Sequence, residues 1–203
     1  MENKLTQTAA KFLAGKMNYY TCKEGLELKK MELGMEIIII NVLKLVIIFT
    51  LAVWLEVLWQ TFVAYAAFAT IKRYSFGLHA LNSTACTLVS CCMFVIVPLL
   101  LINFGINNVG AIVAFSIILP VLYLYAPADT KARPLIGVKL RARFKRKAVI
   151  CGFFVFIIAL LIPSEPVKLL LTLGAAYQSI AIMPFMYKIL KRSEKNYEAY
   201  EIT

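Results

Sequence analysis

The sequence is poor in acidic residues and lacks the cysteine pattern of a disulfide framework. Its 203 residues hold 11 Asp and Glu against 22 Lys and Arg, and a single histidine. The cysteines show no paired spacing, which argues against a small secreted domain and predicts reduced thiols. No cleavable signal peptide is apparent, because six Lys and four Glu precede the first apolar run. We therefore expect a cytosolic N-terminal segment. The five thiols are Cys22, Cys86, Cys91, Cys92 and Cys151.

Apolar residues dominate the composition. They make up 61% of the chain, and the mean hydropathy is +0.78, which is well above the usual range of a soluble domain. The long apolar stretches show no alternation of period two. Because lipid offers the backbone no hydrogen-bond partner, such stretches must be helical. The sequence predicts an all-α, polytopic integral membrane protein.

The first 35 residues predict an interfacial segment. Between residues 4 and 20, apolar side chains recur at offsets of three and four with lysines between them, a pattern typical of an amphipathic helix lying on the inner membrane face. We divide the chain into this cytoplasmic segment (1–35), a transmembrane domain (36–190) and a cytoplasmic tail (191–203).

The apolar runs of the transmembrane domain predict about six membrane-spanning helices. Residues 36–71 contain no Gly or Pro, yet one helix of that length would measure about 54 Å against a hydrocarbon core of roughly 30 Å. We predict an interruption at residues 54–60, where Glu56 and Gln60 accompany two Trp of the interfacial kind. Four more spans follow at 85–104, 109–126, 148–163 and 167–188. Four full crossings with two interfacial or re-entrant pieces are the alternative, because 57–71 and 148–163 are short.

A strongly basic loop is predicted at residues 127–147. Asp129 is its only acidic residue. The positive-inside rule explains such a loop on the cytoplasmic side, and with six crossings it also places both termini inside. A second interpretation is a binding surface for an acidic partner or for anionic lipid, rather than for nucleic acid. The candidate binding residues are Lys131, Arg133, Lys139, Arg141, Arg143 and Lys145.

Residues 72–90 concentrate polar groups beside an apolar run and include the only histidine, His79. Residues 82–84 are Asn, Ser and Thr, which are strong N-cap types, so we predict a helix start with Ser83 as cap and Cys86 in the first turn. The helix N-terminus favours thiolate there. In one continuous helix His79 and Cys86 would lie about 10.5 Å apart along the axis, so a catalytic dyad requires a helix break between them.

These residues resemble the accessory gene regulator B family, the membrane cysteine endopeptidases of Gram-positive bacteria that process quorum-sensing propeptides. The resemblance rests on R-x-x-x-G-x-H-A at residues 73–80, a Cys seven residues after the His, and Y-A-P-A-D-T-K at residues 125–131. It covers nearly the whole chain. The family commonly has Gly-Gly before the aromatic residue and His. This chain departs from that pattern with Phe76, Gly77 and Leu78, so that one glycine is replaced and Leu78 stands where Tyr or Ala is common.

The resemblance implies a mechanism without a cofactor. Cys86 would attack a peptide carbonyl near the C-terminus of the propeptide, and His79 would act first as base and then as acid. An acyl-thioester would form, and a Cys or Ser side chain of the propeptide would displace the enzyme to give a cyclic thiolactone or lactone. The implied partners are a small amphipathic propeptide with an acidic C-terminal tail, membrane lipids and a second copy of the chain.

Four further residues could support this chemistry. Arg73 and Gly77 belong to the motif of the resemblance. Ser90 lies one turn after Cys86, where it could assist by a hydrogen bond or simply ease helix packing. Asp129 could shape the site, cap a following turn or pair with Lys131.

Two other functions stay open at this stage. A small transporter or channel without peptidase activity could use six spans, although the spans lack central carboxylates and no internal repeat is evident. A metal site could draw on His79, Cys86, Cys91 and Cys92. The adjacent pair Cys91 and Cys92 would point to different helix faces, which makes a shared metal difficult, and we predict no metal.

Overall fold

A computed structural model describes residues 4–77, 83–129 and 135–190 of the chain. Within these stretches the protein is all-α, as predicted, and the one β-type pairing is an isolated parallel bridge between Phe76 and Ala128. The helices are α1 (Lys4–Thr21), α2 (Gly25–Trp54), α3 (Leu58–Ser75), α4 (Ser83–Cys91), α5 (Val97–Leu100), α6 (Asn108–Tyr125), α7 (Val138–Leu161), α8 (Glu165–Ile182) and α9 (Pro184–Ile189), with a π-helical turn (Cys92–Ile96) between α4 and α5.

Two of the described helices, α2 and α6, are long and apolar enough to cross a membrane, and Thr84–Leu100 is a shorter apolar stretch. Large apolar side chains on α2, among them Ile38, Val42 and Val46, are about half exposed. An apolar surface of this extent is unusual on a soluble monomer and suits contact with lipid. These helices indicate association with the membrane.

The predicted interruption at residues 54–60 is confirmed. Helix α2 ends at Trp54 and α3 begins at Leu58. Glu56 adopts a positive φ of 58° in the turn, while Val57 is fully buried and accepts a backbone hydrogen bond from Thr61. The two helices therefore form a hairpin, with the exposed Trp54 at its tip.

Helix α1 covers the predicted N-terminal helical segment and packs against α2. Its buried residues include the small Ala10 and Ala14, whereas Phe12, Met17 and Tyr20 are exposed. The helix itself is therefore observed, and its placement on a membrane face stays a prediction.

The centre of the fold is the close contact between α3 and α8. A Cβ added to Gly174 of α8 would fall on the backbone oxygen of Ala64 and would also come within 2.9 Å of the Ala67 side chain. Only glycine permits this approach of the two backbones. Apolar side chains from α6 and α7, including Phe115 and Val155, complete the core around this pair.

The π-helical turn has an identifiable cause in Pro98. Proline has no N–H, so Pro98 cannot donate to the carbonyl of Phe94 four residues earlier, and its ring would crowd that oxygen in an α-helix. The wider turn instead pairs the N–H of Val97 with the oxygen of Cys92. Thr61 of α3 donates to the oxygen of Phe94 at 2.7 Å. A side chain from a neighbouring helix thus satisfies the carbonyl that proline leaves unpaired.

Two predicted boundaries were wrong. The segment predicted as a basic loop, residues 127–147, is helical from Val138 onward, because Lys, Arg, Leu and Ala residues there are all good helix formers. The last predicted span, residues 167–188, is broken at Met183, which is extended with ψ 140° because Pro184 follows it.

Each end of the bundle is closed by contacts between turns. At one end the N–H of Ile106 donates to the oxygen of Glu165, so the α5–α6 connection meets the start of α8. Val57 belongs to the same apolar cluster as Leu99 and Val167, which places the α2–α3 turn there as well. The opposite end holds the end of α3, the segment after α6 and the end of α8.

Candidate active site

Cys86 lies in the first turn of α4. The helix begins at Ser83, one residue before the start expected with Ser83 as N-cap, and the Cys86 side chain is partly buried. The backbone N–H groups of a first turn have no intrahelical partners and carry partial positive charge. This position therefore favours the thiolate form of Cys86.

Lys44 of α2 contacts the sulfur. Its Nζ lies 3.0 Å from Cys86 Sγ, although the two residues are 42 positions apart in the sequence. An ammonium at this distance favours the charged form of a thiol. Sequence reasoning missed Lys44. The signal was its position, because it is the only charged residue between Glu36 and Glu56, and ionisable groups inside membrane spans usually mark functional sites.

The predicted partner of Cys86, His79, lies in residues 78–82, outside the described parts of the chain. The predicted helix break also falls largely on those residues. Helix α3 ends at Ser75, and Phe76 and Gly77 are both non-helical. The dyad and the break therefore stay predictions.

The chain directly before His79 is held by the segment that follows α6. The N–H of Gly77 donates to the oxygen of Ala128 at 3.1 Å, and the N–H of Ala128 donates to the oxygen of Ser75 at 2.9 Å. Gly77 has φ +105°, which suits glycine. An added Cβ there would lie 3.1 Å from the Ile182 side chain. The sequence prediction of Gly77 as a supporting residue thus has a physical basis in backbone conformation and close packing.

Phe76 also adopts a positive φ, of 57°. A residue with a large side chain seldom occupies this region, and this is the position where the sequence departs from the familiar Gly-Gly pattern. The ring of Phe76 packs edge-on against Phe144 of α7 with centroids 5.0 Å apart. Phe76 therefore has a backbone conformation that is more usual for glycine.

Gln178 is a second residue that sequence reasoning missed. It is fully buried, and its Nε2 donates to Ser75 Oγ and to the oxygen of Phe76, both at 2.7 Å. These bonds join α8 to the last residue of α3 and to the start of the segment that leads to His79. The signal was an amide within the apolar run 167–188, since buried polar groups are rarely left without a structural or functional reason.

Comparison with known proteins identifies the group of proteins to which this chain is similar. The family model described as Accessory gene regulator B matches residues 7–182. The chain belongs to the accessory gene regulator B family. A putative AgrB-like protein of Clostridium acetobutylicum is 38% identical over 202 residues, covering 100% of this chain and 97% of the relative. One of Listeria innocua is 41% identical over 197 residues, covering 97% and 96%.

The accessory gene regulator protein B of Staphylococcus aureus strain Newman is 33% identical over 186 residues, which is 92% of this chain and 95% of the relative. No solved structure matches the chain. The resemblance stated from the motifs at residues 73–80 and 125–131 is therefore confirmed at the level of the family.

In this member of the accessory gene regulator B family, three predicted residues lie around one cavity of about 590 Å³. Asp129, Arg141 and Lys145 all line it, together with residues from the ends of α6 and α8. Asp129 is only 5% exposed, and its backbone oxygen accepts a hydrogen bond from the Tyr187 hydroxyl at 2.9 Å. Arg141 Nη1 donates to the oxygen of Leu135 at 3.0 Å. The cavity thus combines two cationic side chains with one carboxyl group.

The other predicted binding residues are placed differently. Lys139 and Arg143 are exposed on α7 and do not line that cavity. Arg73 is exposed in the last turn of α3, with its guanidinium 5.7 Å from the centre of the Tyr74 ring. Lys131 and Arg133 lie outside the described residues.

Ser90 contacts the backbone of Cys86 and not its sulfur. Its Oγ donates to the Cys86 oxygen at 2.8 Å, the bond that a helical serine commonly makes to the preceding turn. Within the described stretches, no group of three or more His, Cys, Asp or Glu side chains is arranged to hold a metal ion.

Proposed function

We propose that this chain is a membrane cysteine endopeptidase that cleaves a quorum-sensing propeptide near its C-terminus and promotes cyclisation of the product. The observation that carries the proposal is the setting of Cys86, a thiol in a helical first turn with an ammonium 3.0 Å from its sulfur. Reactive cysteines occupy partly exposed, electropositive surroundings of this kind. Membership of the accessory gene regulator B family supports the same chemistry.

In the first step, the Cys86 thiolate attacks the scissile carbonyl carbon. A C–S bond forms, the carbonyl electrons move to oxygen, and collapse of this intermediate breaks the C–N bond. His79 takes the thiol proton beforehand and gives it to the leaving amine. The products are an acyl-thioester on Cys86 and a free C-terminal peptide with a new amino terminus.

In the second step, a thiol or hydroxyl of the bound propeptide gives its proton to His79, which became neutral in the first step, and attacks the acyl-thioester. Attack by a thiol gives a thiolactone and releases the Cys86 thiolate, and attack by a hydroxyl gives a lactone. A thioester exchange is nearly balanced in energy because one thioester replaces another. Water must be kept from the acyl group during this step, since hydrolysis would yield a linear acid.

The substrate is a small propeptide with an amphipathic leader and an acidic tail. Arg141 and Lys145, which line the cavity beside Asp129, are the described cations best placed to receive carboxylates of that tail. The formal net charge of +11 adds long-range attraction for an acidic peptide. The other proposed partners are membrane lipids, which would contact α1, and a second copy of the chain in a homodimer.

The same proposal places the protein in the bacterial cell membrane with six crossings and both termini cytoplasmic. Grouping of the α2–α3, α5–α6 and α7–α8 connections at one end of the bundle supports this arrangement. Lys72 and Arg73, and the basic first turns of α7, lie at helix ends that belong to the other end, as the positive-inside rule requires. Residues 1–35 and 191–203 then lie on the cytoplasmic side.

The test is cleavage of the propeptide in membranes by Cys86→Ser and His79→Ala variants. We expect each variant to lose at least about a thousandfold in rate, because catalytic residues that act as a unit fail together. Cys151→Ser, which changes a partly buried thiol elsewhere, serves as the matched control and should cleave normally. Cleavage that persists in Cys86→Ser would show that the peptidase assignment is wrong.

A transporter or channel would behave differently in the same membranes. We would favour that alternative if two results were obtained together. The unmodified protein would fail to cleave the propeptide, and solute flux in proteoliposomes would be unaffected by Cys86→Ser.

A further inference from the structure

The Lys44 ammonium lies in surroundings that offer it few counter-charges. It extends from α2 between Leu43 and Leu45, within an apolar run that contains no carboxylate from Ile37 to Leu55. The side chain is partly buried, and the group it contacts is Cys86 Sγ. A charged group in an apolar span requires a partner of opposite charge or a hydrogen-bond acceptor. A thiolate satisfies both requirements.

A second lysine lies near the same sulfur. Lys72, in the last turn of α3, interacts electrostatically with both Cys86 and Lys44. Its Nζ lies 4.8 Å from the centre of the Phe68 ring, which occupies part of its surroundings. The lysines that interact with Cys86 in the described stretches therefore include Lys44 from α2, in contact, and Lys72 from α3.

We propose that Lys44 is the charge partner of the Cys86 nucleophile and acts in both steps of the reaction. The inference rests on the proposed function, because it assigns a role to Lys44 within that site. Lys44 acts through its charge and its hydrogen bond, and the proton transfers of the reaction belong to His79. It donates a hydrogen bond to the thiolate, which holds the sulfur ready for attack before substrate arrives.

The second step depends on Lys44 for a different reason. Once Cys86 is acylated, its sulfur is neutral and the Lys44 ammonium loses its counter-charge. Expulsion of the thiolate restores the ion pair while the propeptide thiol or hydroxyl forms the new bond to the acyl carbon. A thiolate that is better stabilised leaves faster. Lys44 therefore favours release of the cyclic product as well as formation of the acyl-enzyme.

The direct test measures alkylation of Cys86 by iodoacetamide against pH, in full-length protein whose other four cysteines are replaced by serine. Lys44→Met removes the charge and keeps much of the side-chain length. We expect the midpoint of the pH profile to rise by about one pH unit. The rate at pH 7 should fall only about threefold, because the more basic thiolate is intrinsically a better nucleophile.

Lys44→Arg should restore the midpoint to within a few tenths of a pH unit, since arginine keeps the charge. Lys168→Met is the matched control, because Lys168 is a lysine in another apolar helix and is buried more fully than Lys44, and its profile should equal that of the parent. If Lys44→Met does not fold, Lys44→Gln provides the same comparison. An unchanged midpoint in the neutral variants would overturn the proposal.

The role in the second step is tested with propeptide and mass spectrometry of the enzyme. The neutral Lys44 variants should accumulate acyl-enzyme to a higher fraction than the parent, and Lys44→Arg should not. A parent-like fraction in the neutral variants would contradict this part. Because alkylation requires no propeptide, its outcome is independent of whether Cys86→Ser abolishes cleavage, and failures of the two proposals can be told apart.

Discussion

The two ends of the helix bundle are built in different ways. At the end that carries the α5–α6 and α7–α8 connections, Gly105 lies against the backbone of Glu165, and the Ile106 N–H donates to the Glu165 oxygen. At the other end, side-chain donors hold the backbone. Gln178 donates to Ser75 and Phe76, and Tyr187 donates to the oxygen of Asp129.

The difference shows which part of the fold supports the chemistry. Close contacts through glycine fix the distance between two stretches of backbone and involve backbone atoms rather than polar side chains. The polar end fixes the segment that leads to His79 and also contains the cationic cavity at Asp129. Substitutions at the first kind of contact should act on stability, whereas substitutions at the second kind should act on activity to a greater degree.

The largest effect on stability is expected at the α3–α8 contact. Gly174→Ala would place a methyl group on the Ala64 carbonyl oxygen, so the two helices would have to separate. We expect the loss of roughly 2–3 kcal/mol of stability and a fall in Tm of about 5–10 °C in detergent. Gly34→Ala is the control, since an added Cβ at Gly34 meets nothing within 4 Å. Equal Tm values for the two variants would contradict the close contact.

An intermediate effect on stability is expected at Gln178. Gln178→Leu would remove the amide donor that bonds the buried Ser75 Oγ and the Phe76 oxygen, at a cost of about 1–3 kcal/mol. Cleavage by the protein that remains folded should fall further than thermal stability alone explains. Ser179→Ala is the control, because Ser179 donates only within its own helix to Ala175. If cleavage by Gln178→Leu falls only as much as its folded fraction does, Gln178 stabilises the fold and has no further role in activity.

The smallest effect is expected at the cavity cations. Arg141→Glu with Lys145→Glu should weaken propeptide binding about tenfold at physiological salt, and less at high salt. The matched control is Lys139→Glu with Arg143→Glu, which makes the same change in net charge on the exposed surface of α7. Equal weakening by both pairs would mean that total charge, and not the cavity, attracts the acidic tail.

Several features of the fold followed from local signals in the sequence. Trp54, Glu56 and Gln60 in an otherwise apolar run predicted the α2–α3 turn, because such residues prefer the membrane interface. The N-cap types at residues 82–84 predicted the start of α4 near Ser83. Both signals act within a few residues of the feature they specify.

Two local signals were present and were weighted wrongly. The charged residues before Ala148 were interpreted as a loop, although their helix propensities are high, and α7 extends the apolar span by more than two turns into that basic segment. Pro184 marked the end of α8, since a residue before proline disfavours the helical conformation. Both interpretations relied on hydropathy, and they gave too little weight to helix propensity before Ala148 and to the effect of Pro184 on the backbone.

The contacts of the site could not be predicted from the sequence. Lys44 and Cys86 are 42 residues apart, and Gln178 and Ser75 are 103 residues apart. Pairing across such separations depends on how the helices pack, and a single sequence carries no record of that. A polar residue in an apolar run indicates only that a partner is needed.

Helix α4, the π-helical turn and α5 follow one another without a break and form one helical stretch. The π-helical turn sets how far the half before it is rotated about the helix axis relative to the half after it. The half after the turn contributes Pro98 to the interior, and the half before it presents Cys86 to Lys44. Loss of a single residue from Cys92–Ile96 would turn the first half by about 100° while Thr61 and Pro98 kept the second half in place. The nucleophile would then face a different neighbour, so the number of residues in the π-helical turn determines which side chain the Cys86 sulfur contacts.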